Sequence, residues 1–474
     1  MSSLNRRSFL RNAVVYGGSA ALAPSLAGLA ACADQTRDAG PGRFVRRVGR
    51  GEGGYGSLVT RPEWPELGLP VGFHCVKLSQ AGDLMSDGVP TPNAFDGMAA
   101  FALPNGNIRL IRNHEIRDPA ATAHPFGNAA MAYDRKAGGG TSSLEVRVRP
   151  DGTRELLRHY ASLTGTHVNC AGGPTPWDSW ITCEETTEGA PQGRAAEHGY
   201  VFEIPISAED EVPAVPYKAM GRFTHEALAV DATTGIVYLT EDIRFRAGNP
   251  AQPGAGFYRY IPNVPGNLLA GGRLQLLALK DRPQHNTSTG QRPGRPLPVT
   301  WVDIDDPDPA NAAADPSAVF RQGLAKGGTI FQRLEGCWYG DGSIFFNATS
   351  GGDAGAGQVW QYRPRRRSGG QLILVFESPS RDVLDAPDNI VVSPRGGLIV
   401  CEDGDGSQFL RGLTQRGEIF DFGQNVANED EFAGACFSPD GETLFVNIQG
   451  STSSTGASKG ITFAIWGPWE EGAL

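Results

Sequence analysis

Six short hairpins recur along this 474-residue chain, and no other feature constrains the fold as strongly. They lie at 103–115 (LPNGNIRLIRNHE), 174–185 (PTPWDSWITCEE), 231–242 (DATTGIVYLTED), 339–349 (YGDGSIFFNAT), 393–403 (SPRGGLIVCED) and 438–449 (SPDGETLFVNIQ). Each has a turn signal, an apolar or alternating strand, and then a polar end such as Glu184-Glu185, Glu241-Asp242 or Glu402-Asp403. A companion strand precedes each turn and also begins polar: Asp96, Asn169-Cys170, Glu226, Glu335, Asp388-Asn389 and Glu431. In an antiparallel hairpin the start of the first strand lies beside the end of the second, so both polar sets share one rim. Hairpins repeated mostly about 45–70 residues apart predict an all-β chain folded as a six-bladed β-propeller, one domain over 71–474. The one longer interval holds Pro- and Asp-rich stretches at 262–328 and reads as an inserted excursion over one face, with a degenerate seventh blade as the alternative. Residues 34–70 read as an extended lead-in.

Gly at 63 and Pro at 34 residues suit a turn-rich β protein. The formal charge of −10 understates the acidity beyond the first 33 residues. Those carry Arg6, Arg7 and Arg11 and no acid; taking 3 from 42 basic residues leaves 39 against 52 acids, or −13. No basic stripe exists to displace counterions, which excludes nucleic acid as a partner; the dense basic run at 363–367 reads as a solvated loop.

Asn5-Arg6-Arg7-Ser8-Phe9-Leu10 has the twin-arginine export pattern, followed by a modestly apolar stretch broken by Gly17-Gly18 and Pro24. The expected partner is therefore the twin-arginine translocation machinery, which carries folded proteins, and the expected location is periplasmic or otherwise extracytoplasmic. Leu29-Ala30-Ala31-Cys32 resembles a lipobox and makes Cys32 a lipidation candidate, while Ala31-Cys32-Ala33 offers ordinary cleavage. The other six cysteines lie mostly in apolar strands, so buried free thiols are favoured over a disulfide framework. The expected state is a monomer.

The rim collects Asp96, Glu115, Glu184, Glu185, Glu226, Glu241, Asp242, Glu335, Glu402, Asp403 and Glu431, with Asn113, Asn347 and Asn389 beside them. That many carboxylates repel one another unless cations bind, and hard oxygen ligands suit Ca²⁺, Mg²⁺, Mn²⁺ or Fe³⁺. Cys170, and Cys183 as a second candidate, would add a soft ligand that points to a transition metal such as iron. Taken singly, an acid after a strand is usually solvated surface and a strand cysteine a core thiol; recurrence at equivalent positions lifts the set above that. His114 and His225 read as supporting or core histidines. Arg333, two residues before Glu335 on the same strand face, is placed to reach an anion over the metals. No Gly-x-Ser-x-Gly elbow, His-Glu-x-x-His helix or phosphate-cradling loop is present.

At these residues the chain resembles the PhoX-type alkaline phosphatase family. The similar stretches are CAGGPTPWDSWITCEE (170–185), GRFTHEALAVDATTGIVYLTED (221–242), RLEGCWYGDGSIFF (333–346), FESPSRDVLDAPDN (376–389), CEDG (401–404) and EFAGACFSPDGETLFVN (431–447). The resemblance implies a six-bladed propeller that hydrolyses phosphate monoesters with a mixed iron (Fe³⁺) and calcium (Ca²⁺) cluster over the channel. It implies metal ligands among Cys170, Glu226 and Glu335, phosphate contact by Arg333, and further ligands among Glu184, Glu241, Asp242, Glu402 and Asp403. Glu115, Cys183, Asn389 and Glu431 complete the candidate set. Small phosphorylated molecules are the expected substrates. Two rivals stand beside this reading: a calcium propeller hydrolase of lactones or esters, and a non-catalytic binding propeller stabilised by calcium.

Overall fold

A computed structural model describes residues 54–365, 369–414 and 417–474. The twin-arginine segment, Cys32 and most of the lead-in lie outside the described residues, as do parts of the 363–367 basic run. The described chain is almost wholly β, with 26 strands and a single short α-helix, α1 at Ala318–Ala325. β1 (Leu58–Arg61), β2 (Trp64–Pro70) and β3 (His74–Gln80) come first. A four-stranded antiparallel meander follows: β4 (Phe95–Ala102), β5 (Ile108–His114), β6 (Gly139–Val148) and β7 (Arg154–Thr166). Next is a three-stranded sheet of β8 (Asn169–Pro174), β9 (Ser179–Glu184) and β10 (Val201–Pro205).

The next two meanders share one nine-stranded sheet. β11 (His225–Val230), β12 (Val237–Glu241), β13 (Phe257–Pro262), β14 (Gly272–Leu279) and β15 (Leu297–Asp303) form one half. β16 (Leu334–Gly340), β17 (Ser343–Ala348), β18 (Gln358–Arg363) and β19 (Gln371–Glu377) form the other. β15 joins them, pairing with β14 along its length and with β19 only through Leu297 and Pro298, whose ring removes the N–H that a longer ladder needs. β20 (Pro387–Val392), β21 (Leu398–Glu402), β22 (Phe409–Leu413) and β23 (Ile419–Asn425) recruit β2 and β1 at their outer edge. β24 (Phe432–Phe437), β25 (Leu444–Ile448) and β26 (Ile461–Trp466) recruit β3, which ties the two ends of the chain into one sheet.

The 262–328 stretch, expected as an excursion, carries β14, β15 and α1, and β14 is an integral outer strand of its sheet. Its Pro-rich flanks hide that strand from a periodicity reading.

The first strands of the six hairpin groups pack side by side in a closed circuit: β4 beside β8, β8 beside β11, β11 beside β16, β16 beside β20, β20 beside β24, and β24 back beside β4. Small residues permit this approach. A Cβ on Gly336 would lie 2.6 Å from the Asp388 carbonyl, and one on Gly97 would lie 2.5 Å from the Ala171 Cα. A narrow cavity between these strands is lined by Gly97, Gly172, Gly336, Gly434 and Trp338. Apolar clusters fill the spaces between neighbouring sheets, and Trp338 borders several of them. The six described cysteines are all free and buried, and no described helix is long and apolar enough to cross a membrane.

Candidate metal centre

Each first strand carries the same irregularity near its start. The register slips between Phe95 and Met98, Asn169 and Gly172, His225 and Leu228, Leu334 and Cys337, Pro387 and Ile390, and Ala433 and Cys436. In every case the first strand holds one more residue than its partner, which is a β-bulge, and bulges re-aim side chains. In the first five the second residue of the strand sits in the bulge: Asp96, Cys170, Glu226, Glu335 and Asp388; in the sixth the second residue, Ala433, still pairs with Asn447 and the bulge follows it. Four of these strands are entered through a non-glycine residue with positive φ: Ala94 (55°), Val168 (53°), Arg333 (51°) and Ala386 (46°). Such a backbone costs roughly 1–3 kcal/mol and persists only where its surroundings enforce it, commonly at functional sites.

The residue just past each second strand lies beside the start of the first: Glu115, Glu185, Asp242, Thr349, Asp403 and Gln449. Eight of these positions, with Glu431 just before the sixth first strand, make one linked chain of donors. Asp96, Glu115 and Cys170 group together, as do Cys170, Glu185 and Glu226; then Glu226, Glu335 and Asp388; then Asp388, Asp403 and Glu431. Within each group the donor atoms lie within 4.8 Å of one another, and shared members join the four groups into nine residues.

The electrostatics are those of a site built to receive positive charge. Burial, then the neighbouring Glu115, pushes Asp96 well above its ordinary range; burial, then Glu335, does the same to Glu226. Burial also raises Glu185 to about 8, outweighing Arg117, and raises Asp388 to about 7 with help from Asp403. Glu335, Asp403 and Glu431 are raised by burial too, and the Cys170 thiol is raised by burial and then by Glu226. Asp96 Oδ1, Glu226 Oε2 and Glu431 Oε2 are buried with no hydrogen-bond partner. Native proteins rarely leave buried carboxylate oxygens unpaired, and cations reverse each of these penalties. The donor set therefore fits bound metal ions.

A second set of side chains holds this arc in place from the neighbouring sheet. Asn113 Nδ2 donates to the carbonyls of Cys170 (3.0 Å) and Ala171 (2.7 Å). Thr240 Oγ1 donates to Glu335 O (2.7 Å), Asn347 Nδ2 to Asp388 O (2.6 Å) and Asn447 Nδ2 to Asp96 O (2.8 Å). Each donor lies on the second strand of one meander and each acceptor on the bulge of the next. Cys183 and Cys401 occupy the corresponding place in the remaining two sheets.

Of the sequence candidates, Cys170, Glu226, Glu335, Asp403, Glu115 and Glu431 are brought together, joined by the rim residues Asp96, Glu185 and Asp388. Arg333 donates to Asp242 from Nε (3.0 Å) and Nη2 (2.8 Å), and Nη2 lies 3.0 Å from Glu335. Glu184, Glu241, Glu402 and Cys183 are not brought to the arc. For the three glutamates strand alternation is the reason: they directly precede Glu185, Asp242 and Asp403, and successive side chains on a strand face opposite ways. Glu184 accepts from the His167, Gly199 and Tyr200 backbone N–H groups and pairs with His198 Nδ1 at 2.7 Å. Glu241 accepts from Tyr258 Oη (2.8 Å) and Gly256 N (2.9 Å), and Glu402 pairs with Arg411 at 2.7 Å. The Cys183 thiol lies in an apolar cluster with Ile181, Val201 and Phe223. Asn389 receives the Gly434 N–H and donates to Asp388 at 2.9 Å, supporting the arc without joining it. His114 and His225 bond the carbonyls of Asn93 and Gly221 as core histidines.

Two residues escape the sequence reading: Asp388, whose neighbour Asn389 is the candidate instead, and Arg117, whose Nη2 donates to both Glu115 and Glu185. A signal for Arg117 was present: Glu115-Ile116-Arg117 recurs two sheets later as Asp242-Ile243-Arg244.

The comparisons agree with this architecture. No curated protein matches the sequence. Among solved structures, a PhoX from Pseudomonas fluorescens in complex with vanadate, a transition-state analogue, superposes with a TM-score of 0.64 at 19% identity, covering 89% of this chain and 99% of that one. A Xanthomonas campestris gluconolactonase covers 86% of this chain and 99% of its own at 13% identity, with a TM-score of only 0.38. The sequence matches the family model for alkaline phosphatase PhoX over residues 53–451. The chain thus belongs to the PhoX alkaline phosphatases, and with them to the phosphomonoesterases.

Proposed function

We propose that this protein is an exported, metal-dependent phosphatase that hydrolyses small phosphate monoesters at one mouth of a six-bladed β-propeller. The closed circuit of six first strands, each followed by its meander, supports the propeller reading. The observation that carries the activity is the linked set of nine donor residues, all contributed by equivalent positions or their immediate neighbours. The two groups containing Cys170 suit iron, because a thiolate favours a transition metal. The all-carboxylate groups suit calcium, which takes oxygen ligands. When bound, such ions supply Lewis-acid polarisation of the phosphoryl group and activation of water.

The chain's own residues do the rest. Asp242 and Glu335 hold the Arg333 guanidinium between two neighbouring meanders, and its side chain stays 29% exposed, so it is presented rigidly towards an incoming anion. A planar, permanently charged fork suits the non-bridging oxygens and the charge that develops on them. The second-strand Asn and Thr donors fix the backbone beneath the arc, which keeps the ligand side chains in register. No side-chain nucleophile is required. The twin-arginine pattern supports export to an extracytoplasmic compartment, with Cys32 as the lipid-anchor candidate, and a monomer is the working state.

The test is hydrolysis of p-nitrophenyl phosphate by protein whose metals are counted by elemental analysis, before and after chelation. Turnover that disappears with iron and calcium and returns on their addition supports the proposal. Turnover that survives complete metal removal, or protein carrying calcium alone with no phosphate release, contradicts it.

A further inference from the structure

We infer that Arg117 is a second phosphate-contacting residue, gripping the substrate from a different part of the arc from Arg333; this rests on the phosphatase reading above. Arg117 is fixed on both sides. Its backbone N–H donates to Thr452 O at 2.8 Å, and Nη2 bridges Glu115 of one sheet and Glu185 of the next. Both carboxylates belong to the groups centred on Cys170. Arg333 makes a comparable bridge further round, between Asp242, just past the second strand β12, and Glu335 on the first strand β16. Two guanidiniums thus sit on one arc, Arg117 clamped by two of its acids and Arg333 by Glu335 of the arc and by Asp242 beside it.

The clamp uses only part of the Arg117 side chain. All its hydrogen bonds to Glu115 and Glu185 come from Nη2, and the side chain is 47% exposed against 4% for Glu115 and 12% for Glu185. The carboxylates are buried beneath it, so the remaining N–H donors are on the solvent side, where a phosphate arrives. A guanidinium needed only to neutralise two acids would gain by burying its fork against them. Arg117 instead keeps donors outward in a fixed orientation, as a tetrahedral dianion needs.

The experiment compares wild type with R117A, R117K and R333A, each as metal-loaded full-length protein. Metal content is counted, inorganic phosphate binding is titrated calorimetrically, and vanadate inhibition and p-nitrophenyl phosphate kinetics are measured. R117A is expected to keep its metals, to weaken phosphate and vanadate binding at least about tenfold, the scale of one charge-assisted hydrogen bond, and to raise KM. R117K, which keeps charge but loses the fork, is expected to fall between. Unchanged phosphate and vanadate affinity in R117A overturns the inference, as does loss of metal in both R117A and R117K, which would make Arg117 a structural counter-charge. If wild type itself neither binds phosphate nor releases it, the phosphatase reading fails instead; R333A impaired with R117A unimpaired sinks only the role of Arg117.

Discussion

Asn113 and Asn347 sit at the same place in two different sheets, yet their local hydrogen bonds predict different costs of truncation. Both are fully buried. Asn113 donates to Cys170 O and Ala171 O and accepts from Trp180 Nε1 at 2.9 Å. N113A leaves three buried groups short of a partner. Each costs roughly 1–3 kcal/mol, and the total is below the sum because carbonyls with a second partner and entering water recover part of it, giving about 3–5 kcal/mol. Asn347 donates once, to Asp388 O, and its Oδ1 has no partner. N347A therefore loses one bond and also removes a buried orphan, for a cost of about 1 kcal/mol. Urea unfolding at fixed calcium, with slopes matched to wild type, measures the difference. Equal costs, or N347A as the more damaging, would refute the reading of these residues as hydrogen-bonded clasps between sheets.

Two further predictions follow from the polar network. Glu184 and Glu185 are adjacent but opposed: E185Q should lower metal content and turnover, whereas E184Q should keep its metals when folded and lose about 3–5 kcal/mol of stability, because it breaks the buried pair with His198; elemental analysis and melting temperature separate the two, and reversed outcomes would show the facing to be wrong. His198 is fully buried between Glu184 (2.7 Å) and Asp134 (3.2 Å); burial opposes its charge, but the two acids outweigh it and hold the imidazolium up to about 9. Since this lies above the ordinary value of about 6.5, its stabilisation is complete below that pH, declines by about 1.4 kcal/mol per unit through the window, and is gone above about 9. Imidazole nitrogen shifts in a pH titration check it, and a His198 that deprotonates near 6 would contradict it.

Much of the site is legible in the sequence because it is periodic. Polar residues at the starts and ends of repeated strands mark a common rim, and Cys170, Glu226, Glu335, Asp403 and Glu431 come from that pattern alone. What the pattern cannot supply is facing. A one-residue bulge at the start of every first strand, and the alternation of the second, decide that Glu185, Asp242 and Asp403 point to the arc while Glu184, Glu241 and Glu402 point away. Nothing in the residue types Glu184-Glu185 distinguishes them; the difference lies in His198, which is distant from that hairpin's turn and brought in by the fold. Arg117 is hidden for a related reason, since its partner Glu185 is 68 residues away. The β14 and β15 strands escape notice because β14 is flanked by loops rich in Gly and Pro and β15 carries Pro298, although the burial of Leu274, Leu276 and Leu279 makes β14 a true core strand.

The most direct test of the account is a crystal of the active, metal-loaded enzyme measured on both sides of the iron absorption edge. The account predicts an anomalous iron peak within bonding distance of Cys170 Sγ, between the carboxylates of Asp96, Glu115, Glu185 and Glu226. It also predicts further metal density where Asp388, Asp403 and Glu431 converge. Active enzyme with no metal density along these nine residues, or with its metals held elsewhere, would contradict it.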